Sequence, residues 1–208
     1  MNNKSLTTFY LVRHGQTEWN LKGLMQGHQD SPLTKDGENQ ALYVAKELGN
    51  IKFDLAFSSD LLRAKRTAEI IAKEHKLEIK VTQLLRERNF GDYEGKPQKE
   101  LNIFTDYLDS LTHDKRFNFK FNSQTIESDN EISTRLITFL RETAILYPGK
   151  IILVVTHGGI IRALLIKLGY STYHQLHHSA IENGAYLKLE TDGVDFFIKE
   201  IKGVRRND

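Results

Sequence analysis

Ile151-Ile152-Leu153-Val154-Val155 runs straight into Thr156-His157-Gly158-Gly159. Five aliphatic residues in a row, without polar alternation, suit a strand covered on both faces, as in a parallel sheet. The polar exit is followed by Ile160–Leu168, a short apolar helix. The same grammar occurs twice upstream. Thr7–Val12 ends in Arg13-His14-Gly15-Gln16-Thr17, and Phe53–Phe57 ends in Ser58-Ser59-Asp60.

Helical patterns lie between these strands. Ala41, Val44, Ala45 and Leu48 follow the i, i+3, i+4, i+7 spacing after a Thr34 start signal. Leu61, Ala64, Ala68, Ile71 and Ala72 do the same, with Ser59 or Asp60 as the expected N-cap. Ser128-Asp129-Asn130-Glu131 reads as a capping box for a helix carrying Ile132, Leu136, Phe139 and Leu140, stopped near Pro148-Gly149. Tyr186–Leu189 and Val194–Ile201 flank Asp192-Gly193, a hairpin signal. The expectation is an α/β three-layer sandwich: a mostly parallel central sheet, helices on both faces, and a cap over the carboxyl ends of the strands. All 208 residues are read as one domain. Residues 96–125 lack clean periodicity and are read as an insert, either a surface excursion or a substrate-facing cap.

Composition narrows the classes. The 29 Lys+Arg nearly balance 27 Asp+Glu, which argues against a nucleic-acid binder. There is no Cys, so disulfides, thiolate metal sites and cysteine nucleophiles are excluded. The N-terminus lacks a signal-peptide pattern, and the apolar runs are too short to span a bilayer. A soluble, cytoplasmic protein without nucleic-acid or membrane partners is expected.

The chemistry gathers at the strand ends, where ligands of parallel sheets collect. Arg13-His14, the Ser58-Ser59-Asp60 exit with Arg63 one turn later, and His157-Gly158-Gly159 would meet at one sheet edge. Two guanidiniums match phosphate oxygens. One neutral imidazole can attack, and a second can donate to developing charge. Gly158 and Gly159 let a helix N-terminus approach an anion.

Four segments, in order, resemble the signatures of the histidine phosphatase superfamily, also called phosphoglycerate mutase-like. They are Leu11-Val12-Arg13-His14-Gly15-Gln16-Thr17-Glu18-Trp19-Asn20, Ser58-Ser59-Asp60-Leu61-Leu62-Arg63-Ala64-Lys65-Arg66-Thr67-Ala68, Leu85-Arg86-Glu87-Arg88-Asn89-Phe90-Gly91-Asp92-Tyr93-Glu94-Gly95 and Val155-Thr156-His157-Gly158-Gly159. The resemblance implies that His14 is a nucleophile forming a phosphohistidine. It implies that Arg13, Arg63 and His157 clamp the phosphoryl oxygens, and that Asn20 faces them too. Gln26 and Gly27 would line the substrate side, with Gly158 at the anion. Glu87 would give a proton to the leaving alcohol and then act as base; it must be protonated for the first step. No metal and no cofactor is implied, and the partner is a small phosphorylated metabolite. Monomers, dimers and tetramers all occur in the family, so a homodimer is one assembly left open.

Within the family, His157-Gly158-Gly159-Ile160 and the third segment resemble the phosphatase branch. A cofactor-dependent phosphoglycerate mutase and an inactive phosphate-binding relative stand as alternatives. Glu87 could instead be a surface ion pair with Arg86 or Arg88. His174, His177 and His178 are read as a solvated cluster rather than a metal site. Lys115, Arg116 and Lys120 are read as solvated loop charges, with a second anion site as the other reading.

Overall fold

A computed structural model describes residues 5–100, 104–120 and 126–207. In chain order the elements are β1 (Thr7–Arg13), α1 (Glu18–Leu21), α2 (Lys35–Glu47), β2 (Leu55–Ser59), α3 (Leu62–His75) and β3 (Ile79–Thr82). Then follow α4 (Thr105–Ser110), α5 (His113–Phe117), α6 (Asp129–Leu146), β4 (Ile151–Thr156), α7 (Gly158–Lys167), β5 (Ile181–Thr191) and β6 (Phe196–Val204). The strands form one sheet in the order β3-β2-β4-β1-β5-β6. The first four run parallel, and β5 and β6 are antiparallel additions.

The apolar runs are buried on both faces because successive side chains point to opposite sides. Phe9 and Leu11, with Ile152 and Val154, pack with α6 and α7. Tyr10 and Val12, with Leu153 and Val155, pack with α2 and α3. Each fully buried aliphatic side chain contributes about 1.5–3 kcal/mol. The register places Arg13 opposite Thr156, so the residues following them, His14 and His157, leave the sheet side by side.

Several expected boundaries move. The second strand is Leu55–Ser59, not Phe53–Phe57, because Ser58 and Ser59 pair with Val81 and Thr82 of β3. The ladder outweighs the polarity of two serines. The edge strand β3 itself carried no usable apolar signal. The expected Ser59 or Asp60 cap of α3 is replaced: Leu61 occupies the N-cap position without a side-chain bond. Asp30, distant in sequence, accepts from Leu62 N and from Arg63 N. Asp60 instead forms a two-pronged pair with Arg86, at 2.8 and 2.6 Å. The Thr34 cap and the Ser128–Glu131 capping box form as expected.

Of the expected insert at 96–125, residues 101–103 and 121–125 lie outside the described residues. Its described part contains α4 and α5. Among the described residues, no helix is long and apolar enough to cross a membrane.

Candidate active site

A cavity of about 930 Å³ opens at the carboxyl ends of the parallel strands. Arg13, His14, Asn20, Gln26, Gly27, Arg63, Glu87 and Gly158 all line it. His157 lies just behind, fully buried, with its ring centroid 5.1 Å from that of His14. The described part of the insert contributes Leu108, Asp109, Arg116 and Phe119 to the same wall.

His14 is buried and its Nδ1 lies 2.7 Å from its neighbour's carbonyl, Gly15 O. A carbonyl only accepts, so Nδ1 carries the proton and Nε2 keeps its lone pair. Nε2 has no hydrogen-bond partner among the described residues. Burial, reinforced by the Arg63 and Arg13 charges, holds the imidazole well below its ordinary pKa and therefore neutral. His157 is held low in the same way, by burial first and Arg63 next. Its Nε2 is 2.9 Å from Ser59 Oγ, while its Nδ1 is buried without a partner among the described residues.

Arg63 is fully buried. Its terminal nitrogens donate to Gly27 O at 2.7 Å, Gln29 O at 2.8 Å and Asp30 Oδ1 at 2.8 Å. Arg13 donates to Ile181 O. Burial lowers the Arg13 pKa to about 10, partly opposed by Glu87, so it stays protonated at neutral pH. Among the described residues, the Nε atoms of both arginines and Gln26 Oε1 are buried without hydrogen-bond partners. Unpaired cationic donors at the mouth of a helix N-terminus form a place for an oxyanion.

Glu87 belongs to that site and not to a surface pair. Its carboxylate accepts from Gly159 N and from Arg88 N, each at 2.8 Å. Arg86 and Arg88 pair elsewhere, with Asp60 and Asp129. A Cβ at Gly159 would fall 2.5 Å from Glu87 Oε1, which explains the close approach. The Glu87 segment is pinned from below. Arg135 donates to Leu84 O and Arg86 O, and Thr156 Oγ1 donates to Leu85 O.

Sequence reasoning missed several supports. Asn183 donates to His14 O at 3.1 Å and to Asn20 Oδ1 at 3.3 Å. Glu94 accepts from the backbone N–H of His28, Gln29 and Phe90, which shapes the loop whose carbonyls hold Arg63. Asp30, Ser59 and Arg135 join this group. Ser59, already at a strand exit, and Glu94, inside the third signature segment, stood near a recognisable signal. Among the described residues no cluster of His, Asp and Glu could hold a metal ion. His174, His177 and His178 instead lie on the cavity wall.

The fold and this constellation define an enzyme of the phosphatase and phosphomutase class. The chain belongs to the histidine phosphatase superfamily (branch 1), whose pattern matches residues 9–202. A Bacillus subtilis protein described as an uncharacterized phosphatase, PhoE, is 38% identical over 165 residues, 78% of each chain. A probable phosphoglycerate mutase of Escherichia coli, GpmB, is 37% identical over 157 residues, covering 72% of this chain and 68% of that one. Among solved structures, YhfR of Bacillus stearothermophilus superimposes with a TM-score of 0.79 at 28% identity, covering 95% of this chain and 97% of that one.

Proposed function

We propose that this chain is a metal-independent phosphatase that hydrolyses a small phosphomonoester through a phosphohistidine on His14. The observation that carries the reading is the state of His14: neutral, with Nδ1 committed to Gly15 O and Nε2 without a partner among the described residues, beside nitrogens of Arg13, Arg63 and His157 that likewise have none among them. Phosphoryl transfer depends on positioning and charge stabilisation, and these groups supply both.

In the first step His14 Nε2 forms a bond to phosphorus as the ester P–O bond breaks. The Glu87 carboxyl gives its proton to the leaving alkoxide. Arg13, Arg63 and His157 Nδ1 bind the equatorial oxygens as charge spreads over them. In the second step water attacks phosphorus, Glu87 takes its proton, and the N–P bond breaks to release inorganic phosphate. Asn20, Gln26, Gly27 and Gly158 line the substrate side, and the segment at 96–125 acts as a cap on a single domain. A cytoplasmic setting goes with this reading.

The test is phosphate release from p-nitrophenyl phosphate. Wild-type turnover should be abolished in His14→Ala without loss of fold, and retained turnover would overturn the nucleophile assignment. The relative named a mutase supports a second reading. Interconversion of phosphoglycerates that depends on a bisphosphate primer, with negligible phosphate release, would favour it.

A further inference from the structure

Asn183 lines the cavity, and the fold delivers it to the nucleophile. Strand β5 runs antiparallel to β1, with Leu11 opposite Leu187 and Val12 opposite Tyr186. Continued past the end of β1, that register brings His14 opposite Gly184, beside Asn183. The ladder between β5 and β6 shifts register here, between Ile181 and Tyr186, and Gly184 is left-handed at φ +75°. Such an irregularity re-aims a side chain that a regular strand would leave on the sheet face.

The hydrogen bonds around Asn183 have only one possible sense. Its amide meets His14 O at 3.1 Å. A carbonyl only accepts, so the atom there is Nδ2 and it donates. Nδ2 also donates to Asn20 Oδ1, at 3.3 Å. The Asn20 end is fixed independently: Thr17 N–H, which only donates, reaches the same Oδ1 at 3.1 Å. Asn20 N–H in turn donates to Thr17 Oγ1 at 3.1 Å, closing the capping box of α1. Two donors therefore occupy Asn20 Oδ1, and a flipped amide would set N–H groups against both of them. Asn20 Nδ2 is left as a donor without a hydrogen bond to any described residue, in a side chain that lines the cavity. The capping box alone pins Oδ1 at one point, about which the amide plane can swing. The bond from Asn183 is the second point, and it is referenced to the backbone of the nucleophile itself.

We propose that Asn183 is a positioning residue: held by His14 O, it fixes the plane of the Asn20 amide so that Nδ2 is aimed at a phosphoryl oxygen. This rests on the reading above in taking the His14 end of the cavity as the phosphoryl site. A donor aligned before the substrate arrives needs no reorganisation as charge develops. Asn183 itself touches no reacting atom; it acts through Asn20.

The test is a double-mutant cycle over Asn20→Ala and Asn183→Leu, since Leu is close to Asn in size but donates nothing. Two quantities are read: kcat/KM for p-nitrophenyl phosphate, and the Kd of orthovanadate by isothermal titration, which needs no turnover. Asn183→Leu alone should weaken each about 10-fold. In the Asn20→Ala background the same substitution should cost less than about 2-fold, because the amide that it steers is gone. Effects that multiply in the double variant would overturn the proposal, since a role in folding, or in holding His14 alone, does not depend on Asn20. Unchanged orthovanadate binding in Asn183→Leu would overturn it as well. Asn183→Ala takes the same place in the cycle if the Leu variant does not fold. A wild type that binds orthovanadate but leaves p-nitrophenyl phosphate intact would sink the phosphatase reading, and the orthovanadate cycle would still decide this one.

Discussion

Replacing Asp30 is the sharpest probe of how the site is held. Asp30 does two things at once. It caps α3 by accepting from Leu62 N and Arg63 N, and it pairs with the Arg63 guanidinium, whose side chain is 1% exposed against 20% for Asp30. Losing a helix cap costs about 1 kcal/mol. Breaking a buried ion pair from one side costs about 3–5 kcal/mol. Here the Gly27 and Gln29 carbonyls still accept from Arg63 and Asp30 is partly solvated, so about 2 kcal/mol is the fitting figure. Asp30→Ala should therefore lose about 3 kcal/mol, or about 6–12 °C in Tm for a domain of this size. Asp30→Asn keeps a neutral acceptor for the cap and the guanidinium and should lose about 1 kcal/mol. Because Arg63 is then free to shift, kcat/KM for p-nitrophenyl phosphate should fall about 10- to 100-fold in the Ala variant. Urea denaturation, thermal melts and steady-state kinetics on both variants decide the matter. An Ala variant with unchanged Tm, or an Asn variant as damaged as the Ala variant, would refute the reasoning.

Two further outcomes follow from the same geometry. His14 and His157 are both held neutral in the folded state, so below about pH 6.5 the unfolded chain takes up protons that the native state refuses. Stability is then lost as pH falls, by about 1.4 kcal/mol per histidine at one unit below pH 6.5; urea unfolding at pH 7.5 and 5.5 should show a loss about 1.4 kcal/mol smaller in His157→Gln, and an equal loss would contradict the assignment. Ser59→Ala removes the only described partner of His157 Nε2, so kcat should drop about tenfold with a smaller change in KM, and an unaltered kcat would count against a positioning role for Ser59.

The strands that carry the site were legible because their side chains had to be apolar on both faces. That requirement exposed Thr7–Val12 and Ile151–Val155, and with them the polar residues at their ends. The Ser128–Glu131 cap and the Asp192-Gly193 hairpin were legible because their chemistry is complete within four residues. β3 was not, since an edge strand of four residues needs little apolar character, and its pairing with Ser58 and Ser59 shifted the boundary of β2. The cap of α3 was misassigned for a similar reason. A local serine or aspartate fits the rule, but Asp30 reaches the same N–H groups from a distant loop and also satisfies Arg63.

By itself the sequence determined that a parallel sheet would end in Arg13-His14 and His157-Gly158, and, through its four signature segments, which residues are available for phosphoryl chemistry. It could not determine how those residues are tuned. Only the tertiary structure decided that Gly15 O accepts the hydrogen bond from His14 Nδ1, and that Glu87 sits on Gly159 N instead of pairing with its neighbours. The physical reason is that apolar periodicity is a property of consecutive residues, whereas a tautomer, a depressed pKa or an unpaired donor depends on groups brought together from different elements and shut away from water.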